Sequence, residues 1–185
     1  MSKFNLFTFL FLLGILFVKV SSISFDYSGI NYCDPELCPY QSGGHIGCNN
    51  TGEWSKQCSK DKELVLLEEE KIDYILHLHN KYRSFQALGQ QKGFLPASRM
   101  PTVKWNSELA YLCELKVKKC ENIHDYCHNT GDFQISGQNL GALSNNIRYI
   151  EVNQFIDNMV GGWYTEYEYA NQTTIDRCCS RGPAK

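Results

Sequence analysis

Beyond residue 22 the chain lacks any apolar run of the ~20 residues that a membrane-spanning helix needs. It also lacks a basic stripe. Eighteen Lys and Arg face 20 Asp and Glu, for a formal net charge of −2, with the signs interspersed. Without a track of Lys and Arg to displace counterions, a nucleic-acid partner is excluded. No block of like charge marks an acidic or basic tail. There is no Gly-x-Ser-x-Gly elbow and no cysteine-protease signature, so nucleophilic catalysis has no obvious seat. Gly-x-Gly pairs are too sparse for a phosphate-binding loop.

The first residues carry an address. Lys3 is a short basic start, residues 4–18 are nearly all Phe, Leu and Ile, and Val20-Ser21-Ser22 suits a cleavage site. This is the layout of a secretory signal peptide, with cleavage expected after Ser22. Losing Lys3 and Lys19 shifts the formal net charge from −2 to −4. A chain of this length suits one domain with an extension. In a secreted protein the nine cysteines imply disulfides, and an odd number leaves one thiol unpaired or bridged to another chain, as in a disulfide-linked dimer. Asn49-Asn50-Thr51 and Asn171-Gln172-Thr173 are then glycosylation sequons at Asn49 and Asn171.

Residues 23–61 are rich in Cys, Gly, Asn, Pro and Ser and show no useful period. They read as a loop-rich segment held by bridges, with His45 a solvated loop histidine. Residues 62–88 read as a long helix, with Leu64, Leu67, Ile72, Ile75, Leu76 and Tyr82 on its apolar face. Within it His79 is expected as a partly buried, hydrogen-bonded histidine rather than a ligand. A polar loop over 89–101 leads to Trp105, which is positioned to pack on Leu109 or Ala110, and to Asn106 as an N-cap. The helix over 107–119 then turns Leu109, Leu112, Cys113 and Val117 inward. Residues 140–143 read as a strand. The clearest helix covers 151–169, with Val152, Phe155, Ile156, Met159, Val160, Trp163 and Tyr167 on one face. Gly161-Gly162 weakens it by about 1 kcal/mol per glycine relative to alanine, so a close contact is expected there. The aromatic group Trp163, Tyr164, Tyr167 and Tyr169 reads as core packing plus exposed tyrosines.

The chemistry gathers in 120–141, which holds Cys120, His124, Cys127, His128 and the turn Ser136-Gly137-Gln138-Asn139-Leu140. His124 and His128 stand at i, i+4 and, with Cys120 and Cys127, make up a zinc-ligand set. In an oxidising compartment those cysteines are instead expected in disulfides. A second reading pairs His124 with Glu166 across a cleft for acid–base work or a weak divalent-metal site.

Several motifs, in order, resemble the CAP superfamily of secreted proteins (cysteine-rich secretory, antigen 5, pathogenesis-related), in its insect antigen 5-like branch. They begin with Asn31-Tyr32-Cys33 through Cys58. Leu78-His79-Asn80-Lys81-Tyr82-Arg83 and Met100-Pro101-Thr102-Val103-Lys104-Trp105-Asn106 follow. His124-Asp125-Tyr126-Cys127-His128-Asn129-Thr130, Ser136-Gly137-Gln138-Asn139-Leu140 and Trp163-Tyr164-Thr165-Glu166 complete the set. The resemblance implies an α+β fold, an α–β–α sandwich with a small antiparallel sheet. It implies the pairs Cys33–Cys48, Cys38–Cys127 and Cys58–Cys120, leaving Cys113, Cys178 and Cys179 over. It divides the chain into a signal peptide (1–22), an extension (23–61), a partial CAP domain (62–177) and a non-family tail (178–185).

Many members hold a divalent metal between two histidines and two glutamates. His124 matches the first histidine and Glu166 the second acid, while Gln138 stands where the first glutamate would be. A downstream histidine motif has no counterpart before the chain ends. The expectation is a shortened form lacking most of the sheet, with the apolar faces of 62–88 and 151–169 turned toward a largely absent layer. No cofactor and no catalytic residue is expected. The leading functional reading is a secreted, non-enzymatic interaction protein with an extracellular protein or receptor as partner. A carrier of sterol or fatty acid is the alternative, and a metal-dependent hydrolase comes third.

Overall fold

The structure, a computed structural model, describes residues 27, 29–40, 43–143 and 150–180, without the side chains of 178–180. The signal segment, residues 181–185 and the side chains of Cys178 and Cys179 therefore lie outside the described residues. Among the described residues there are four α-helices: α1 (Glu69–Ala87), α2 (Ser107–Val117), α3 (Val152–Thr165) and α4 (Gln172–Ser180). Short 3-10 turns occupy Pro35–Leu37 and Glu166–Tyr169. No strand occurs among the described residues. One isolated parallel bridge, His45 to Cys127, is the nearest thing to a sheet. The expected α–β–α layering is thus seen only in its helices, and residues 140–143 run as irregular chain.

The first helix starts later than its apolar pattern suggests. Residues 62–68 have no helical turn, and α1 begins at Glu69 behind Glu68. Leu64, Val65, Leu66 and Leu67 are four consecutive apolar residues, which in a helix would point to every side rather than to one face. Glu69 and Glu70 instead occupy the first turn, where carboxylates complement the positive end of the helix dipole. At the other end Gly89 adopts φ +68°. Its N–H bonds to Gln86 and that of Gln90 to Phe85, a glycine-terminated cap in which the left-handed residue needs no Cβ.

Helix α2 starts as its sequence predicts: Asn106 Oδ1 accepts the Leu109 N–H at 2.9 Å. It buries Leu112, Leu115 and Lys116, while Cys113 and Val117 face outward, contrary to expectation. With 100° per residue, the face set by Leu112 and Leu115 puts 113 and 117 on the other side. In α3, Gly161 and Gly162 meet no tight neighbour. A Cβ on Gly161 would find Tyr82 Oη at 3.6 Å, and one on Gly162 would find nothing within 4 Å. The close approach is at Gly141 instead, where a Cβ would collide with the Met159 sulfur.

Two small cores result. Tyr32, Ile46, Leu112 and Leu115 join the N-terminal loop to α2, flanked by Tyr27, Leu37 and Tyr111. Leu78, Ile156 and Val160 join α1 to α3, flanked by Tyr74, Tyr82, Val152 and Trp163. Part of the apolar faces of α1 and α3 therefore packs across the contact between them, while Ile72, Leu76 and Phe155 stay half-buried. The Tyr82 and Tyr164 rings stack with centroids 4.2 Å apart, and the Tyr74 hydroxyl donates to Asp157 at 2.7 Å. His79 is half-buried as predicted, with Nδ1 2.8 Å from the Ile75 carbonyl. The two cores communicate through α1. Asn80 pairs twice with the backbone of Val103 (2.8 and 3.1 Å), and Arg83 donates from Nε and Nη2 to the Pro101 carbonyl, fixing the segment that enters α2.

Disulfides join Cys33–Cys48, Cys38–Cys127 and Cys58–Cys120, the same pairs that the resemblance implies. The last two close sequence separations of 89 and 62 residues, worth ~4–5 kcal/mol each in the chain-entropy model. Cys113 is the free cysteine among the described residues and is exposed.

Leu78 is the buried contribution of α1 to its core. Leu78→Ala should lower unfolding free energy by about 2–5 kcal/mol, read as a shifted urea midpoint. Leu64→Ala, in the exposed segment, should leave the unfolding free energy within about 0.5 kcal/mol of wild type.

Candidate functional site

The central stretch leaves α2 through Lys118–Cys120, where Cys120 takes a positive φ of 54°. Lys116, on the last turn of α2, lies on the apolar face with Leu112 and Leu115 and is only 4% exposed. Its ammonium pairs with Asp125 Oδ1 at 3.3 Å, and both side chains are buried. The other oxygen, Asp125 Oδ2, accepts from Gln138 Nε2 at 2.7 Å. Gln138 Oε1 in turn accepts the Asp125 N–H at 3.1 Å and stands 3.1 Å from His124 Nδ1.

This arrangement assigns its own protons. The Asp125 N–H can only donate and the Asp125 carboxylate, paired with Lys116, accepts, so the Gln138 amide has one orientation. Its Oε1 cannot donate, so His124 Nδ1 carries the hydrogen. His124 Nε2 is left on an exposed ring. The neutral amide is required here, because a glutamate at 138 would set a second carboxylate against Asp125 Oδ2.

The resemblance maps His124 and Gln138 to cleft positions, and the two side chains are 3.1 Å apart. Glu166 is not bonded to this pair. It opens the 3-10 turn after α3, is exposed, and makes no hydrogen bond or ion pair with His124. The Trp163 indole N–H, one turn earlier, does reach the central stretch, donating to the Leu140 carbonyl at 2.9 Å. The two ring nitrogens of His128 are buried without a hydrogen-bond partner among the described residues. Cys120 and Cys127 are oxidised. Among the described residues no three His, Cys, Asp or Glu side chains converge as a metal site. The donor set around His124 is one imidazole and one hydrogen-bonded amide, which does not fit a divalent ion.

The residues that sequence reasoning missed are Lys116, Asp125, Asn129 and His45. His45 is not solvated; it is 6% exposed. Gly47 N–H donates to its Nδ1 at 2.9 Å, so Nε2 carries the hydrogen and donates to the Asn129 carbonyl at 2.7 Å. Its ring stacks on Tyr32, with centroids 4.8 Å apart. Asn129 donates to the Leu37 carbonyl at 2.8 Å and accepts the Ser136 N–H at 3.1 Å. A signal existed for one of these: Lys116 on an apolar helix face needs a buried acid. His45 gave none, because its burial depends on a bridge 89 residues long.

The two sequon asparagines are both exposed. Asn49 sits at a positive φ of 54°. Asn171 caps α4, its Oδ1 accepting the Thr174 N–H at 3.0 Å, which leaves Nδ2 outside that bond. No described helix is long and apolar enough to cross a membrane.

Comparison with known proteins places the chain. The family model described as "CAP: Cysteine-rich secretory protein family" matches residues 76–180. An "Antigen 5 like allergen Cul n 1" of Culicoides nubeculosus is 38% identical over 167 residues, covering 86% of this chain and 75% of that protein. "Venom allergen-1" of Aedes albopictus is 32% identical over 172 residues, 92% of this chain and 66% of that protein. "Venom allergen-1" of Aedes aegypti is 31% identical over 146 residues, 79% of this chain and 56% of that protein. The chain thus spans from about half to three quarters of the length of these relatives.

Two measurements test the network. Burial holds the His45 imidazole below its ordinary 6.5, while the Asn129 carbonyl and the charges of Glu108 and Asp125 oppose the shift and His128 adds to it. The unfolded chain therefore takes the proton first, so stability should be flat above about pH 7 and fall as pH drops below about 6.5. Urea midpoints between pH 5 and 7.5 should show that slope, and His45→Gln should reduce it. Gln138→Glu should cost about 1–3 kcal/mol at pH 7, with the loss shrinking as the new carboxyl is protonated.

Proposed function

The chain belongs to the cysteine-rich secretory protein (CAP) family, in its insect antigen 5-like branch, and from that premise we propose that it is a secreted, non-enzymatic interaction protein. Its partner is an extracellular protein or receptor. The observation that carries this reading is the closed polar network at the family's cleft position. Gln138, Asp125 and Lys116 spend their charges and hydrogen bonds on one another. His124 is left with a neutral amide neighbour, and Glu166 makes no bond to it. A general acid–base pair or a metal-activated water needs a free carboxylate or ligand set at this point.

The secreted part of the reading rests on the signal layout at 1–22, the three disulfides and the two exposed sequons. Carriage of a sterol or fatty acid has less support. An open hollow of about 370 Å³ has Asp34, Glu108 and Asp132 in its wall, charges that repel a fatty-acid head.

Expression of the full chain in insect cells should put it in the medium, beginning at Ile23 and glycosylated at Asn49 and Asn171. Retention in the cell with the first 22 residues attached would refute secretion. Isothermal titration with zinc should give the same weak or absent heat for wild type and His124→Ala. Tight binding that His124→Ala abolishes, or esterase turnover lost both with EDTA and with that variant, would overturn the non-enzymatic reading.

A further inference from the structure

Residues 59–70 are the longest unbroken exposed stretch among the described residues. They join Cys58, bridged to Cys120, to the start of α1. Only their ends are tied. Lys62 N–H bonds back to Ser59, and the Glu68 carbonyl accepts from Lys71 and Ile72. The backbone of 63–67 makes no hydrogen bond among the described residues. Its apolar side chains are turned to solvent: Leu64 is 37% exposed, Val65 53%, Leu66 67% and Leu67 38%.

An endopeptidase binds its substrate as an added strand, using the main-chain groups of several consecutive residues and a pocket for the side chain before the cut. In most of a folded protein those groups are already paired, and local unfolding must come first. Residues 63–67 need no such opening. We propose that this linker is a processing site for an endopeptidase with an apolar primary pocket, cutting after Val65 or Leu66. Cutting after Lys60 or Lys62 is disfavoured, since Asp61 or Glu63 would immediately follow the cut. Tyr40, Leu95, Tyr126 and Ile135 are also well exposed, but their surroundings are held. Tyr40 and Tyr126 lie within two residues of a bridged cysteine, the Leu95 N–H bonds to Gln172, and Ser136 beside Ile135 bonds to Asn129.

The reaction is a hydrolysis, with the protease and water as the co-reactants. The scissile C–N bond breaks, the carbonyl carbon keeps the water oxygen as a carboxylate, and the nitrogen becomes the amino terminus of the next residue. The product is a two-chain protein. Cys38–Cys127 and Cys58–Cys120 both cross the cut, while Cys33–Cys48 lies wholly within the first chain. Neither small core includes a residue of the linker, so the cut form keeps its fold and its bridges.

The test is limited digestion of the intact, oxidised chain with chymotrypsin and with elastase, beside trypsin, read by intact mass before and after reduction. The first product should weigh one water more than the starting chain. Reduction should split it into two chains, the second beginning at Leu66 or Leu67. Its far-ultraviolet circular dichroism and melting temperature should match those of the uncut protein. Leu66→Pro, which removes a backbone N–H and fixes φ at the cut, should slow cleavage by roughly tenfold or more with the melting temperature unchanged. A first cut elsewhere would overturn the proposal. So would faster cutting by trypsin at Lys60 or Lys62, fragments that part without reduction, or resistance of the linker until the protein is denatured.

Discussion

A contact only a few residues long decides how the N-terminal extension meets the central stretch. The Ile46 N–H donates to the Cys127 carbonyl at 2.9 Å, and the next polar groups along, His45 and Asn129, continue the pairing. Cys38 is bonded to Cys127 beside them, and Asn129 reaches back to Leu37. None of these bonds alone could hold a loop-rich extension, because a net hydrogen bond contributes only ~1 kcal/mol. The bridge makes them local. Once Cys38 is covalently held at Cys127, the cost of closing an 89-residue separation is no longer charged to each weak bond.

That constraint explains why buried polar groups are numerous in so small a core. His45, Asn129, Thr130 and Lys116 are each less than a tenth exposed. Each except Thr130 joins segments far apart in sequence or in different elements: His45 to Asn129, Asn129 to Leu37, Lys116 to Asp125. Thr130 serves the turn itself, accepting from Phe133. The apolar core around Tyr32 and Leu115 is only four buried residues wide, so polar pairing and disulfides supply the specificity that a larger core would supply by packing. The buried Lys116–Asp125 pair also binds Gln138, so one amide joins that ion pair to the exposed His124.

The helical half of the molecule depends on different physics. Helices α1 and α3 meet through Leu78, Ile156 and Val160, and the polar clamp of Asn80 and Arg83 on Pro101 and Val103 carries the entry of α2. Periodicity exposed the face of α3 well, since Val152, Ile156, Val160 and Trp163 all reach that core or its edge. It misjudged α1 at its start because Leu64–Leu67 satisfy an apolar count without forming a face. It misjudged α2 at Cys113 and Val117 because an eleven-residue helix offers too few turns to separate one stripe from another.

By itself the amino-acid sequence determined the features that depend on residue type and short spacing. The cap at Asn106, the polar loop that begins at Gly89 and the half-buried His79 are all of this kind. So, through the order of its motifs, is membership of the family. Tertiary structure alone decided what depends on groups brought together from distant positions. Burial of His45 needs Cys127 and Asn129 beside it. The partner of Lys116 is nine residues away on a different element. The fixed orientation of the Gln138 amide follows from Asp125 being shared between Lys116 and Gln138. Such effects have no period and no local signature, because their energy comes from exclusion of water at a junction that exists only once the chain has closed.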